Sequence, residues 1–400
     1  ELTGTAHLTG TLAEGRVEVD ATGRGLGIGN PQADKLLAGA STVALQLALK
    51  DSALKVESAT LSNPQLLARA SGTVLGNQQT LDLTARLNNL ALLLPEFPGP
   101  LTVTGTAVQD LTGLTLDLVG KGPGQIDATL KGKIAAGFGA GDLAIKGTAQ
   151  AALGNAFIQP RAISGQVGFD LRLNGPLRVA SLSGPVTLNN GRLADPGLNF
   201  ALQAITAKAD LAGGRARIDS TMQVSSGGAL AVSGSSALAA PFDGDLAVQV
   251  QNVTLRDPDL YETTLNGGVT VQGALLGGAM IAGRIALTET ELRVPSTGFG
   301  GAGGLPGLEH VNEPKAVRDT RARAGLIDDG KRVGGAGGPA FGLDITLSAP
   351  SRLFIRGRGL DAEMGGELRL LGTTAAVVPW GSFELIRGRL EILGKRLELT

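Results

Sequence analysis

The 400-residue chain is 42% hydrophobic but only 3% aromatic, holds 61 glycines and no cysteine, and carries a formal net charge of −1. Balanced charge removes the basic surface that nucleic-acid binding needs, and the lack of cysteine removes disulfide scaffolds, thiolate catalysis and Cys-ligated metals. No apolar run reaches the roughly 18 residues of a membrane-spanning helix, and no secretory signal is visible at the start.

In chain order, Val17 and Val19 alternate with Glu18 and Asp20, the period of a half-buried strand. Asn30-Pro31 then offers an N-cap and a first-turn proline for a short helix over Gln32 to Leu37. A helix of that length does not stand alone and is expected to plug or cap a sheet. Val43, Leu45, Leu47 and Leu49 share one strand face, and Leu81 to Leu87 repeats the scheme. Leu90 to Pro100 carries three prolines and reads as a loop or edge. Leu114, Leu116 and Leu118, then Ile126, Ala128 and Leu130, resume the ladder.

From Gly165 one phrase recurs. Phe169, Leu171 and Leu173 lead to Val186 and Leu188; Val269 and Val271 lead to Ile285 and Leu287; Leu368 and Leu370 lead to Phe383, Leu385, Leu390 and Ile392. Leu343, Ile345 and Leu347 belong to the same series, and in each case charged or small polar residues fill the alternate positions. A glycine opens the second half of each phrase at 184, 283 and 381, 99 and 98 residues apart, which suggests a repetitive, quasi-one-dimensional architecture. Between Pro295 and Gly342 the period stops. That stretch is Gly-rich, then mixed in charge, then Gly-rich again, and is expected to be a flexible insert with one polar helix over Glu313 to Arg323. A short Gly/Ser link in its place is expected to leave thermal stability almost unchanged.

The runs Ala349 to Glu363, Gly365 to Leu368 and Gly388 to Leu399 closely resemble the C-terminal region of the TamB family. Asp257-Pro258-Asp259-Leu260-Tyr261, Asn266-Gly267-Gly268 and Leu308 to Asn312 carry the same likeness, which is sharp over roughly residues 245 to 400. The resemblance implies a periplasmic protein anchored in the bacterial inner membrane, a TamA-like outer-membrane barrel as partner, and kinship with AsmA-like bridge proteins implicated in lipid transfer. It also implies further C-terminal strands and an N-terminal anchor. The chain opens at Glu1 without Met and ends inside an alternating pattern, as expected of a piece of a longer protein.

Sites for chemistry were sought along the same chain. His7 and His310 are its two histidines and neither has a metal-ligand pattern beside it, so no metal and no cofactor are expected. Gly298 to Gly303 matches G-x-G-x-x-G by letters, but no helical period follows; Gly325 to Arg332 approaches a phosphate-binding loop, but Arg332 stands where Ser or Thr must bind magnesium. Arg352, Arg356, Arg358, Arg369, Arg387, Arg389 and Arg396 could meet lipid headgroups or a partner, yet alternating with glutamates they read first as ordinary cross-strand pairs.

These readings converge on an all-β fold: an elongated, repetitive, curved antiparallel sheet forming a taco or trough with an apolar interior. One-sided apolar strands usually mean a sandwich core, but the scarcity of aromatics, the repeat and the family resemblance reverse that order. The expected divisions are a β-rich trough segment over 1–164, a repeated segment over 165–294, the insert over 295–342 and a C-terminal segment over 343–400. The resemblance and the apolar faces imply a groove that carries phospholipid acyl chains between the two membranes. The alternatives are a chaperone-like factor for outer-membrane barrel proteins and, less favoured, a parallel β-helix enzyme acting on carbohydrate.

Overall fold

The computed structural model describes residues 2–11, 14–25, 34, 36–50, 53–75, 78–93, 97–195, 200–257, 259–294, 340–392 and 394–399. Among them the chain is all-β, with 22 strands in a sheet that is not closed into a barrel. It divides into two units, Glu1–Ser225 with Ala231–Ala239, and Ser226–Leu230 with Ala240–Thr400. Alternating apolar residues and tight Gly, Asn or Asp turns make the first unit a meander, and the second unit departs from one at a single parallel pair.

The first unit contains β1 (Leu2–Gly10), β2 (Glu14–Arg24), β3 (Ala40–Lys50), β4 (Ala53–Ser62), β5 (Leu66–Leu75), β6 (Gln78–Leu87), β7 (Leu101–Asp110), β8 (Gly113–Gly122), β9 (Ile126–Ala135), β10 (Ala140–Gln150), β11 (Ala162–Pro176), β12 (Leu182–Ala194), β13 (Ala201–Ala212) and β14 (Arg215–Val224). Each pairs antiparallel with the next. At the β7–β8 turn the Asp110 carboxylate accepts from the backbone N–H groups of Thr112 and Gly113 at 2.8 and 2.9 Å, the local hydrogen bonding that makes Asp a turn former. β15 (Ala229–Ala237) has residues in both units.

One end of this meander is covered. Leu87, Leu90 and Phe97 are buried there, with Leu36, Leu101, Ile126 and Leu153 packed around them. The Pro-rich segment from Leu90 is thus a loop, and its Leu90–Leu92 turn tucks apolar side chains over the strand ends. Asp34 and Leu36 are helical, and Leu36 packs on the same cluster, as expected of a capping segment. The Asn30-Pro31 cap itself lies outside the described residues.

In the second unit are β16 (Asp243–Asp257), β17 (Tyr261–Ala274), β18 (Met280–Arg293), β19 (Gly342–Gly357), β20 (Leu360–Thr373), β21 (Ala376–Ile392) and β22 (Lys395–Leu399). All described pairs are antiparallel except one. β18 and β19 run parallel, from Met280 beside Gly342 to Arg293 beside Arg356. A parallel pair cannot be closed by a tight turn, because the chain must return the length of a strand. The expectation that a short link can replace the stretch after Pro295 is therefore wrong. Residues 295–339, with the expected polar helix and both glycine motifs, lie outside the described residues, as does His310.

The long strands of this unit are kinked. β16 carries an extra residue between Val250 and Val253, β18 one between Leu287 and Thr290 and β21 one at Ile386, while β19 carries two against β20 between Ala349 and Leu353. Asn252 (φ 48°) and Arg352 (φ 65°) sit in the left-handed region at two of these bulges. Several buried residues lie along the same line, Val253, Thr263, Thr290, Ala349, Leu353 and Ala362. The line is a crease across the strands.

Glycine supplies the other bending device. Gly283 has φ 154°, and a Cβ there would lie 2.3 Å from the Gly268 carbonyl oxygen; Gly184 (φ 114°) and Gly381 (φ 117°) meet neighbouring carbonyls at 2.2 and 2.5 Å. The three glycines of the sequence phrase thus occupy like places. Their even spacing does not count like elements, however. Five strands lie between Gly184 in β12 and Gly283 in β18, against two strands and the 295–339 stretch between Gly283 and Gly381 in β21. The unit that recurs is the hairpin with its inward glycine.

Candidate apolar face

Residues paired across strands share a face of the sheet, so register shows which of the expected apolar residues meet. In the second unit Val248, Val269, Gly283, Ile345, Leu370 and Pro379 form one row across six strands. Beside it run Val250, Gly267, Ile285, Leu347, Leu368 and Gly381, and on the other side Leu246, Val271, Ile281, Leu343 and Gly372. Leu287 stands opposite Leu265, Phe383 opposite Gly366, and Leu385 opposite Met364. Leu390 faces Leu360 on one side and Leu397 on the other, while Ile392 pairs with Lys395 at the last turn and is half exposed.

Leu385 and Leu390 differ in parity, and alternation alone puts them on opposite faces. The extra residue Ile386 resets the register, so both fall on the apolar side. Most members of these rows are half-buried, not sealed; Ile285 and Leu343 are buried, and Leu385 is 37% exposed. The face holds one polar pair, the Thr263 and Thr290 hydroxyls, 2.7 Å apart and buried at the crease.

In the first unit Phe169 faces Val186, Val167 faces Leu188, and Leu173 faces Leu182, while Leu171 extends a row that sequence reading missed. That row runs Leu45, Ala59, Ala70, Leu83, Gly105, Leu118, Leu130, Ile145, Leu171. It includes part of a cavity of about 430 Å³ lined by Val43, Leu45, Ala59, Leu61, Ala68, Ala70, Leu83 and Ala85 among others. Ala59, Ala70 and Gly105, a third of these positions, hid the row, because neither alanine nor glycine gives a strong apolar signal.

The opposite face is a lattice of ion pairs. Arg369 grips Asp344 through two hydrogen bonds of 2.6 and 2.7 Å, Arg284 meets Glu367 at 2.7 Å, and Arg172 holds Asp142 at 2.8 and 2.7 Å. Arg352, Arg356, Arg387 and Arg389 also pair with carboxylates, which bears out the cross-strand reading of these arginines. Hydrogen bonding dominates the acidities. Arg369 lowers the Asp344 pKa, Ser348 and then Arg284 lower that of Glu367, and Arg387 followed by the Arg352 backbone N–H lowers that of Glu363. Glu363 is buried, and its two oxygens take the Arg387 guanidinium at 2.8 Å and the N–H of the left-handed Arg352 at 3.2 Å. It thus ties the bulge of β19 to that of β21.

His7 is exposed on β1, and among the described residues no group of three or more His, Asp or Glu is placed to hold a metal. No helix of the described residues is long and apolar enough to cross a membrane. Residues 217–400 match a family model, the TamB C-terminal domain. The match supports assignment of this region to the TamB family. Neither the curated proteins nor the solved structures contain a match to it. TamB proteins are engaged in outer-membrane assembly and lipid transport, and the family is a non-enzymatic transport and assembly module. The TamB domain suggests the periplasmic region of a membrane-anchored protein.

Proposed function

We propose that the apolar face of this TamB chain carries phospholipid acyl chains between the inner and outer membranes, with headgroups kept at the ion-paired side. The observation that supports this reading is the run of half-buried apolar residues in register from Val248 to Leu370, backed on β18, β19 and β20 by paired charges. An acyl chain of about 16 carbons loses roughly 0.8 kcal/mol per methylene on entering water, on the order of 13 kcal/mol in all, so transfer needs apolar cover at every step. Side chains of the expected set, among them Leu347, Leu368, Leu370 and Leu385, supply that cover in the proposal, and a TamA-like barrel receives the cargo.

A photo-crosslinker at Leu370 is expected to capture lipid and one at Arg369, on the opposite face, is not. Leu385→Arg is expected to fold, since the site is open to water, and to lose lipid capture by placing an ion in the path. Equal crosslinking from both faces counts against the acyl path.

A second reading, assembly of outer-membrane barrel proteins by strand addition, would be favoured by crosslinks from Val378 of β21 to an unfolded barrel strand. The antiparallel hairpins are not the coil of a parallel β-helix, the fold on which the carbohydrate-enzyme alternative rested.

A further inference from the structure

In the first unit the hairpin turns alternate between two ends of the strands, and the two ends differ in a way that the acyl path does not use. At the end holding the β6–β7 and β8–β9 turns, apolar side chains fold inward over the sheet and Phe97 and Leu90 are buried. At the other end, four successive hairpins each push a large apolar residue into solvent. Leu75 closes β5, Leu111 sits between β7 and β8, Phe138 between β9 and β10, and Leu177 and Val179 between β11 and β12. Leu111 is 76% exposed, Leu75 68% and Phe138 65%. Of the seven large apolar side chains exposed among the described residues of Glu1–Ser225, these are five, and the others are Leu8 on β1 and Leu92. Scattered exposed leucines need no explanation, but such a concentration at one end does.

The register brings the four tips into line. Gln79 lies beside Gln109, Gly113 beside Ala135 and Ala140 beside Pro176, so neighbouring tips are two strands apart, about 10 Å. Between them the surface is polar: Lys133 bridges to Asp110 at 3.0 Å and Arg172 to Asp142. The tips are therefore separate anchors, not a continuous patch. A stable protein partner needs roughly 800 Å² per side, which five side chains spaced in this way do not offer. A fluid interface accepts isolated Phe and Leu side chains one by one. The charges beside the tips are paired, apart from Arg178, so attraction to an anionic surface contributes little.

We infer that this row of hairpin tips is a docking edge for a zwitterionic phospholipid surface, which Leu111 and Phe138 enter as apolar anchors. The inference rests on the tips alone and stands whether or not acyl chains travel on the apolar face. Its test is flotation of the 400-residue protein with phosphatidylcholine vesicles at low and high salt. Binding is expected, with little dependence on salt. Phe138→Ser is expected to lower the partition coefficient about tenfold, and Leu111→Ser together with Phe138→Ser about a hundredfold. Leu92→Ser, at the opposite end, is expected to change nothing, and circular dichroism of all three should match the parent. Absence of binding by the parent, equal binding by the tip variants, or binding that appears only with anionic lipid and vanishes in salt would overturn the inference. So would a tip variant that turns a dimer into a monomer in light scattering, because the occupant would then be a second copy of this chain.

Discussion

Shortening the connection between β18 and β19 tests the least expected feature of the second unit, its parallel pair. β18 is 14 residues long, about 45 Å at roughly 3.3 Å per residue, and the chain leaves at Arg293 to re-enter at Gly342 beside Met280. A Gly/Ser link of about four residues in place of 295–339, extended together with Val294, Ala340 and Phe341, reaches roughly 25 Å. It cannot close the ladder. A link of about 20 residues reaches roughly 70 Å fully extended and can. Loss of the ladder removes eleven registered pairs; at roughly 0.2–1 kcal/mol each, the cost is about 5 kcal/mol. Urea unfolding and hydrogen exchange at Leu343 and Ile345 read it. The four-residue link should lose protection there and lower the unfolding midpoint, while the longer link should restore both. A four-residue link with unchanged midpoint and protection would refute the parallel register.

Two further outcomes follow from single residues. At Gly105, φ is +152° and an added Cβ would lie 1.9 Å from the Asp117 carbonyl oxygen, so Gly105→Ala should cost about 3 kcal/mol in urea unfolding; Gly137→Ala, also at positive φ but with open space around it, should cost about 1 kcal/mol, and equal losses would show that crowding against the neighbouring strand is not the cause. Glu363 has its pKa lowered from 4.5 by Arg387 and the Arg352 N–H; a carboxylate depressed on folding stabilises the fold above its unfolded pKa and loses that contribution as pH falls through the folded value. Stability should then be flat from neutral pH down to about 5 and decline below 4.5, and Glu363→Gln should flatten part of that decline. An unchanged acid limb in the variant would remove Glu363 from the clasp.

How much was legible in the sequence follows from the range of the forces involved. Period-two alternation is local, so the strands, their apolar and charged faces and the pairing of Arg369 or Arg389 with carboxylates could be read from the chain. The TamB likeness of Asp257 to Tyr261 and of Ala349 onward lay in the letters too. Register is not local. The bulge at Ile386, which returns Leu390 to the side of Leu385, depends on how β20 and β21 meet, and the parallel union of β18 with β19 depends on a chain return that no neighbouring residue encodes. The row from Leu45 to Leu171 becomes an apolar surface only when nine strands are set side by side, since each contributes a single residue to it. Leu90 and Leu111 are the same residue, each in a connection between neighbouring strands. One is buried and the other bare because only the assembled meander decides which end of the strands its loops fold over.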